Sequence, residues 1–141
     1  MVPELSRSAA QHLLEEGVVT KGDKPLGRSP KDRKKMAVVP DGKRAVTHYR
    51  VLGRYQGYTH VLCRLETGRT HQIRVHLAYI GHPILGDTVY GNKKPVPGLT
   101  GQCLHATGLR FLHPRTGCPV ELTCPRPEEF ERMLAKLQKR I

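Results

Sequence analysis

Between Thr59 and Glu66 apolar and polar residues alternate. Val61, Cys63 and Leu65 fall on one face of an extended strand, and His60, Leu62, Arg64 and Glu66 fall on the other. The preceding run Ala45–Leu52 is rich in β-branched and aromatic residues, and Tyr55-Gln56-Gly57-Tyr58 supplies a turn, so 45–66 predicts a β-hairpin. The period then changes. From His71 to Ile80 the apolar positions Ile73, Leu77 and Ile80 share one helical face, with Thr70 as the expected N-cap and Gly81 before Pro83 as the stop. Short strands are expected at 104–106, 109–111 and 119–123, with Arg115-Thr116-Gly117 in a turn between the last two. A final helix starts near Pro127 and carries Phe130, Met133, Leu134, Leu137 and Ile141 as its apolar stripe. Glu128 and Glu129 lie at its positive end, and Lys136, Lys139 and Arg140 lie near its negative end. Ahead of these elements, residues 5–20 predict a small helix, turn and strand. Ser6 or Ser8 caps the helix, Gln11 completes a capping box, Leu13 and Leu14 are apolar, Gly17 ends it, and Val18-Val19-Thr20 is extended. Lys21 to Pro25 reads as a turn, with no regular structure expected through Pro30.

Charge adds a partner to this picture. With 24 Lys and Arg against 12 Asp and Glu, the 141-residue chain carries a formal charge of +12 and a pI near 10.0. So basic a chain favours a polyanion over a merely solvated surface, because its cations cluster. Gly27 to Lys35 alone holds Arg28, Lys31, Arg33, Lys34 and Lys35, the candidate contacts to a nucleic-acid backbone. Cys63, Cys103, Cys118 and Cys124 form no Cys-x-x-Cys pair and match no zinc spacing. They read as reduced thiols, which suits a cytoplasmic location. His71 and His76, five residues apart, fall on different helix faces, so no metal site is expected. Met1 to Ser8 has no apolar core of a signal peptide, and no apolar run has membrane-spanning length.

Two strings concentrate the candidate chemistry. In Gly68-Arg69-Thr70-His71-Gln72-Ile73-Arg74, Gly68 permits a sharp strand-to-helix turn. The helix start then offers backbone N–H groups, with Arg69 as a forked cation beside them and Arg74 one turn further on. The structural alternative is a basic helix start that grips a neighbouring carbonyl or carboxylate. The second string is His82-Pro83-Ile84-Leu85-Gly86-Asp87, followed by Tyr90-Gly91. Leu85 is either an apolar contact to a ligand or core packing. Asp87 reads as a loop-holding hydrogen-bond acceptor rather than a nucleophile.

Together these strings resemble the RluA/RluD-type RNA pseudouridine synthases. The resemblance covers about Pro25 to Ile141 and implies the C-terminal part of that family's catalytic domain over 25–141. The segment 1–24, with Leu-Ser-Arg-Ser and Leu-Leu-Glu-Glu-Gly-Val-Val-Thr, resembles part of an S-four-like RNA-binding domain. The implied fold is α+β, a mixed and mainly antiparallel sheet with flanking helices. The implied reaction is isomerisation of uridine to pseudouridine in RNA, with ribosomal RNA as the expected kind, without metal or organic cofactor. The resemblance assigns Arg74 as partner of the catalytic Asp, and Arg69, His71, Gln72, Ile73 and Leu85 to substrate binding. The family's His-Arg-Leu-Asp-x-x-Thr-Ser-Gly segment does not occur in the chain. The expectation is therefore a family member inactive alone; the alternative is a non-catalytic RNA-binding remnant. Without the flanking strands, an exposed sheet edge, self-association and an open, wet groove at Arg74 are expected.

Overall fold

The computed structural model describes residues 2–3, 19–20, 26–32 and 34–137. The expected helix over 5–17, Arg33, and the end of the last helix with Ile141 lie outside the described residues.

The predicted hairpin is the centre of the fold. Strands β5 (Thr47–Tyr55) and β6 (Tyr58–Leu65) pair antiparallel from Thr47 opposite Leu65 to Tyr55 opposite Tyr58, with a bulge between Val51 and Gly53. The two-residue loop Gln56-Gly57 works because Gly57 takes φ 78°, a left-handed conformation that costs glycine nothing. Two short strands flank the hairpin. Strand β1 (Val2–Pro3) pairs with β6, and β2 (Val19–Thr20) pairs with β5, giving an antiparallel sheet ordered β1-β6-β5-β2. The described parts of 1–24 thus belong to the same sheet as the hairpin.

Strands β3 (Leu26–Arg28) and β4 (Met36–Val38) form a second, two-stranded antiparallel sheet, fastened to the body by a bridge between Leu26 and Lys43. This corrects the expectation that residues through Pro30 lack regular structure. Three-residue strands are too short to show an alternation, and the side chains of the loop between them decide the pairing. The Ser29 hydroxyl accepts the N–H groups of Lys31 and Asp32, and the Asp32 carboxylate accepts that of Lys34.

Helix α1 (Gln72–Tyr79) packs against β4 and β5. Its core-facing Leu77 joins Ile84, Cys103 and Phe130, with Ile73, Ile80, Leu85, Leu134 and Leu137 packed around them. A neighbouring cluster joins Leu26, Ala45 and Val75 to Met36, Val38 and Tyr90. Helix α2 (Glu128–Lys136) starts at Pro127 as expected and buries Phe130 and Met133.

Strands β7 (Gly108–Leu112) and β8 (Pro119–Thr123) form a third antiparallel pair. The expected strand at 104–106 is absent. The Leu104 N–H turns back onto the Gln102 carbonyl at 2.8 Å and the Cys103 N–H bonds the Leu85 carbonyl at 2.8 Å, so this stretch has no ladder to join. In the β7–β8 register Leu109 faces Leu122 and Phe111 faces Val120, while Arg110 faces Glu121. One face of the hairpin is therefore apolar, and it lies open: Leu109 is 59 % and Leu122 53 % exposed.

Candidate functional site

The site forms where the start of α1 meets the loop after it. Arg74 lies on the first turns of α1, and Asp87 lies in the loop that Gly81 and Pro83 separate from the helix. Arg74 Nε donates to Asp87 Oδ2 at 2.8 Å, and Nη2 donates to Oδ1 at 3.0 Å. This bidentate fork is the strong geometry for an ion pair. Oδ1 also accepts the backbone N–H groups of Val89 and Tyr90, each at 3.1 Å. The expected open, wet groove at Arg74 is thus corrected. The guanidinium side chain is only 12 % exposed, and Asp87, completely enclosed, is its acceptor. Burying an unpaired guanidinium is expensive, and this chain supplies the carboxylate from its own loop. Asp87 does hold the loop through hydrogen bonds, as its place in the string suggested. Arg74 Nη1 has no partner among the described residues.

Opposing effects act on these charges. Burial pushes the Asp87 carboxyl up, but the Arg74 hydrogen bonds, the two backbone N–H groups and the Arg74 charge together hold it below the usual carboxylate range. Hydrogen bonding to Asp87 raises Arg74 further, against burial.

Tyr90 closes the site. Its ring lies 5.0 Å from the Arg74 guanidinium carbon, a cation–π distance. Its hydroxyl accepts the Met36 N–H at 3.0 Å and lies 2.8 Å from His71 Nδ1. Tyr90 stands in the quoted string but carried no predicted role, because nothing in the one-dimensional pattern shows that Met36 and His71 converge on it.

His71, not Thr70, precedes the helix as its N-cap. It adopts φ 55° and ψ 23°, and no side chain caps the helix. Among the described residues it is the one non-glycine with positive φ, a conformation that costs an L-residue roughly 1–2 kcal/mol. Burial, then the charges of Arg74 and Arg28, lower its pKa against the opposing pull of Asp87, so it is neutral at pH 7.

The other predicted residues divide by environment. Gln72 is buried and uses its whole hydrogen-bonding capacity within the chain. Its oxygen accepts the Thr67 hydroxyl at 2.7 Å and the Arg69 N–H at 3.0 Å. Its amide donates to the Val46 carbonyl at 3.0 Å and the Thr47 hydroxyl at 2.9 Å. In this arrangement Gln72 has no group left for a ligand and acts by fixing the turn into α1. Arg69 is exposed and grips the Arg44 carbonyl through Nε at 3.0 Å. Ile73 and Leu85 are half-buried against the core. Arg28, Lys31 and Lys34 are exposed on the β3–β4 hairpin, and half-buried Lys35 reaches back to the Val89 carbonyl at 3.3 Å. His76 faces inward, its Nδ1 2.8 Å from the Thr47 hydroxyl. Among the described residues no three His, Cys, Asp or Glu side chains converge as a metal site. None of the helices there is long and apolar enough to cross a membrane.

Comparison with known proteins follows the same residues. Residues 3–79 match the family described as RNA pseudouridylate synthase. An RNA pseudouridine synthase of Bacillus subtilis is 54 % identical over 117 residues, which is 83 % of this chain and 38 % of that protein. The ribosomal large subunit pseudouridine synthase D of Pseudomonas aeruginosa is 41 % identical across 99 % of this chain and 49 % of its own length. The chain thus spans less than half of either relative. Among solved structures, human RNA pseudouridylate synthase domain containing 1 superposes with a TM-score of 0.68 at 27 % identity, over 96 % of this chain and 67 % of that one.

Proposed function

Because the chain belongs to the RNA pseudouridylate synthase family, we propose that it is the RNA-holding, C-terminal part of a pseudouridine synthase catalytic domain and forms no pseudouridine by itself. The observation that carries this reading is the state of Asp87. Its carboxylate is the acidic partner of Arg74, yet it is enclosed and bound by the Arg74 fork and two backbone N–H groups. A nucleophile must reach the nucleoside, and this enclosed carboxylate is taken up by Arg74 and the backbone of its own loop. Asp32 caps a loop N–H on the basic hairpin, far along the chain from the fork. The family's His-Arg-Leu-Asp string is not in the sequence.

Arg74 remains suited to the role that the resemblance assigns it. Asp87 engages only Nε and Nη2, so Nη1 keeps its donors for a second carboxylate, the one that the missing segment carries in the family. Arg69 and the exposed Arg28, Lys31 and Lys34 supply cations for phosphates, and Ile73 and Leu85 supply apolar contact. The names of the Pseudomonas and other relatives favour ribosomal RNA as the substrate class, and a cytoplasmic site of action goes with it.

Tritium release from uridine-labelled ribosomal RNA tests the reading, alongside filter binding of the same RNA over a salt series. The expected result is binding without release, with log K falling against log[salt] by roughly 0.7 per phosphate contact on single strands. Turnover above a no-protein control would overturn the inactivity. A flat salt response would overturn the RNA-holding role.

A further inference from the structure

We propose that Tyr90 is a positioning residue that fixes His71 as the Nε2–H tautomer, so that the imidazole presents a neutral hydrogen-bond donor to a carbonyl oxygen of a uracil base. The inference rests on the RNA-holding role proposed above and adds to it how one residue reads the base.

The hydrogen-bond chain sets the direction. The Met36 N–H can only donate, and it donates to the Tyr90 oxygen at 3.0 Å. That oxygen lies 2.8 Å from His71 Nδ1, and the Tyr90 hydroxyl has no other hydrogen-bonding partner among the described residues. If Nδ1 carried the proton, a phenolic oxygen would accept two donors while its own proton pointed at nothing. If Nδ1 accepts, each proton has one acceptor: Met36 N–H to Tyr90 oxygen, then Tyr90 O–H to Nδ1. The ring proton then sits on Nε2, because the bond at one ring nitrogen decides the state of the other. Nε2 has no partner among the described residues, and the ring is only half-buried, so this donor is available.

Two further observations support a ligand-directed role. His71 occupies a left-handed conformation that glycine or asparagine would hold more cheaply, and such outliers persist where the surroundings impose them. The groups facing the ring are Arg74 from α1, Arg28 from β3, and Asp87 and Tyr90 from the loop, and their balance with burial keeps it uncharged. The neighbouring cations serve phosphates. A neutral donor among them suits an uncharged acceptor, which is what a base carbonyl offers.

The test compares two single-stranded RNA probes of equal length and charge, an oligouridine and its abasic ribose-phosphate counterpart. The intact chain is used as wild type, Tyr90→Phe, His71→Phe and His71→Gln, with nitrogen-15 NMR of the His71 ring on the first two. Wild type is expected to show the Nε2–H tautomer and to prefer oligouridine by roughly 2- to 10-fold, the worth of one net hydrogen bond. Tyr90→Phe, which keeps the ring and loses the hydroxyl, is expected to mix the tautomers and erase the preference without changing the salt slope. His71→Phe should erase the preference too, and His71→Gln, which keeps a donor near the ε position, should restore part of it. An Nδ1–H tautomer in wild type, or an unchanged preference in Tyr90→Phe, overturns the inference and leaves the RNA-holding role standing. If wild type binds neither probe, both fall together.

Discussion

The Arg74 node and the β7–β8 hairpin treat burial in opposite ways. At the node each oxygen of an enclosed carboxylate is occupied, the guanidinium lies against an aromatic ring, and the adjoining amide of Gln72 makes four hydrogen bonds. On the hairpin, Leu109, Phe111 and Leu122 line one face at 59 %, 40 % and 53 % exposure. Just ahead of that hairpin, His105 Nε2 is buried without a partner among the described residues. The physical penalties explain the contrast. A buried charge without a partner costs several kcal/mol and must be satisfied locally, whereas an exposed leucine forgoes about 25 cal/mol per Å2 of unburied apolar surface and the fold survives. The buried carboxylate is satisfied within the chain, and the apolar face lies open.

The sharpest way to break this comparison is at Asp87. Asp87→Asn removes the charge and leaves Arg74 buried, and breaking one side of such a pair costs about 3–5 kcal/mol, enough to abolish a cooperative thermal melt in a small domain. A wild-type melt in this variant would show that the node is not what holds the loop.

Gln72→Leu tests the same region through uncharged groups. It removes one of two partners from the Val46 carbonyl and from the Thr47 hydroxyl, both in buried residues, and takes the acceptor from the Arg69 N–H, at roughly 1–3 kcal/mol in all. Urea unfolding should show a lower midpoint at an unchanged slope.

Acid titration reads the node more gently. The folded carboxyl of Asp87 lies below its ordinary value of 3.8, so the unfolded chain binds the proton first as pH falls. Its stabilisation is complete above that ordinary value and is lost as pH falls through the folded value. His71, lowered from 6.5, acts in the same direction in a higher window: the folded state resists protonation there, so stability rises with pH through that range. Melting curves across pH should show both slopes in wild type and a reduced higher-window slope in His71→Phe, the remainder coming from buried His60, whose pKa burial also lowers.

The smallest effect on stability belongs to the hairpin. Leu109→Ser or Leu122→Ser should shift the dilute melting temperature by no more than about 0.5 kcal/mol equivalent, since the side chains are more than half exposed. The same variants should weaken the concentration-dependent self-association that equilibrium sedimentation is expected to find in wild type. A large loss of stability would mean that the face is already covered.

Much of this molecule is written in local pattern. The alternation of Val61, Cys63 and Leu65 and the Gln56-Gly57 turn specify the central hairpin, because side-chain period and turn chemistry are local properties. The spacing of Ile73, Leu77 and Ile80 specifies α1, and the string around Gly68 lies within the stretch that matches the family. Tertiary structure decided what those strings do to one another. The pairing of Arg74 with Asp87, 13 residues apart, depends on how the Gly81-His82-Pro83 turn folds back, and the link from Met36 through Tyr90 to His71 spans 54 residues at its longer step. The three-residue strands β3 and β4 and the failure of 104–106 to join a ladder are of the same kind. A hydrogen bond exists only between groups that the whole fold brings within about 3 Å at the right angle, and no one-dimensional spacing carries that distance.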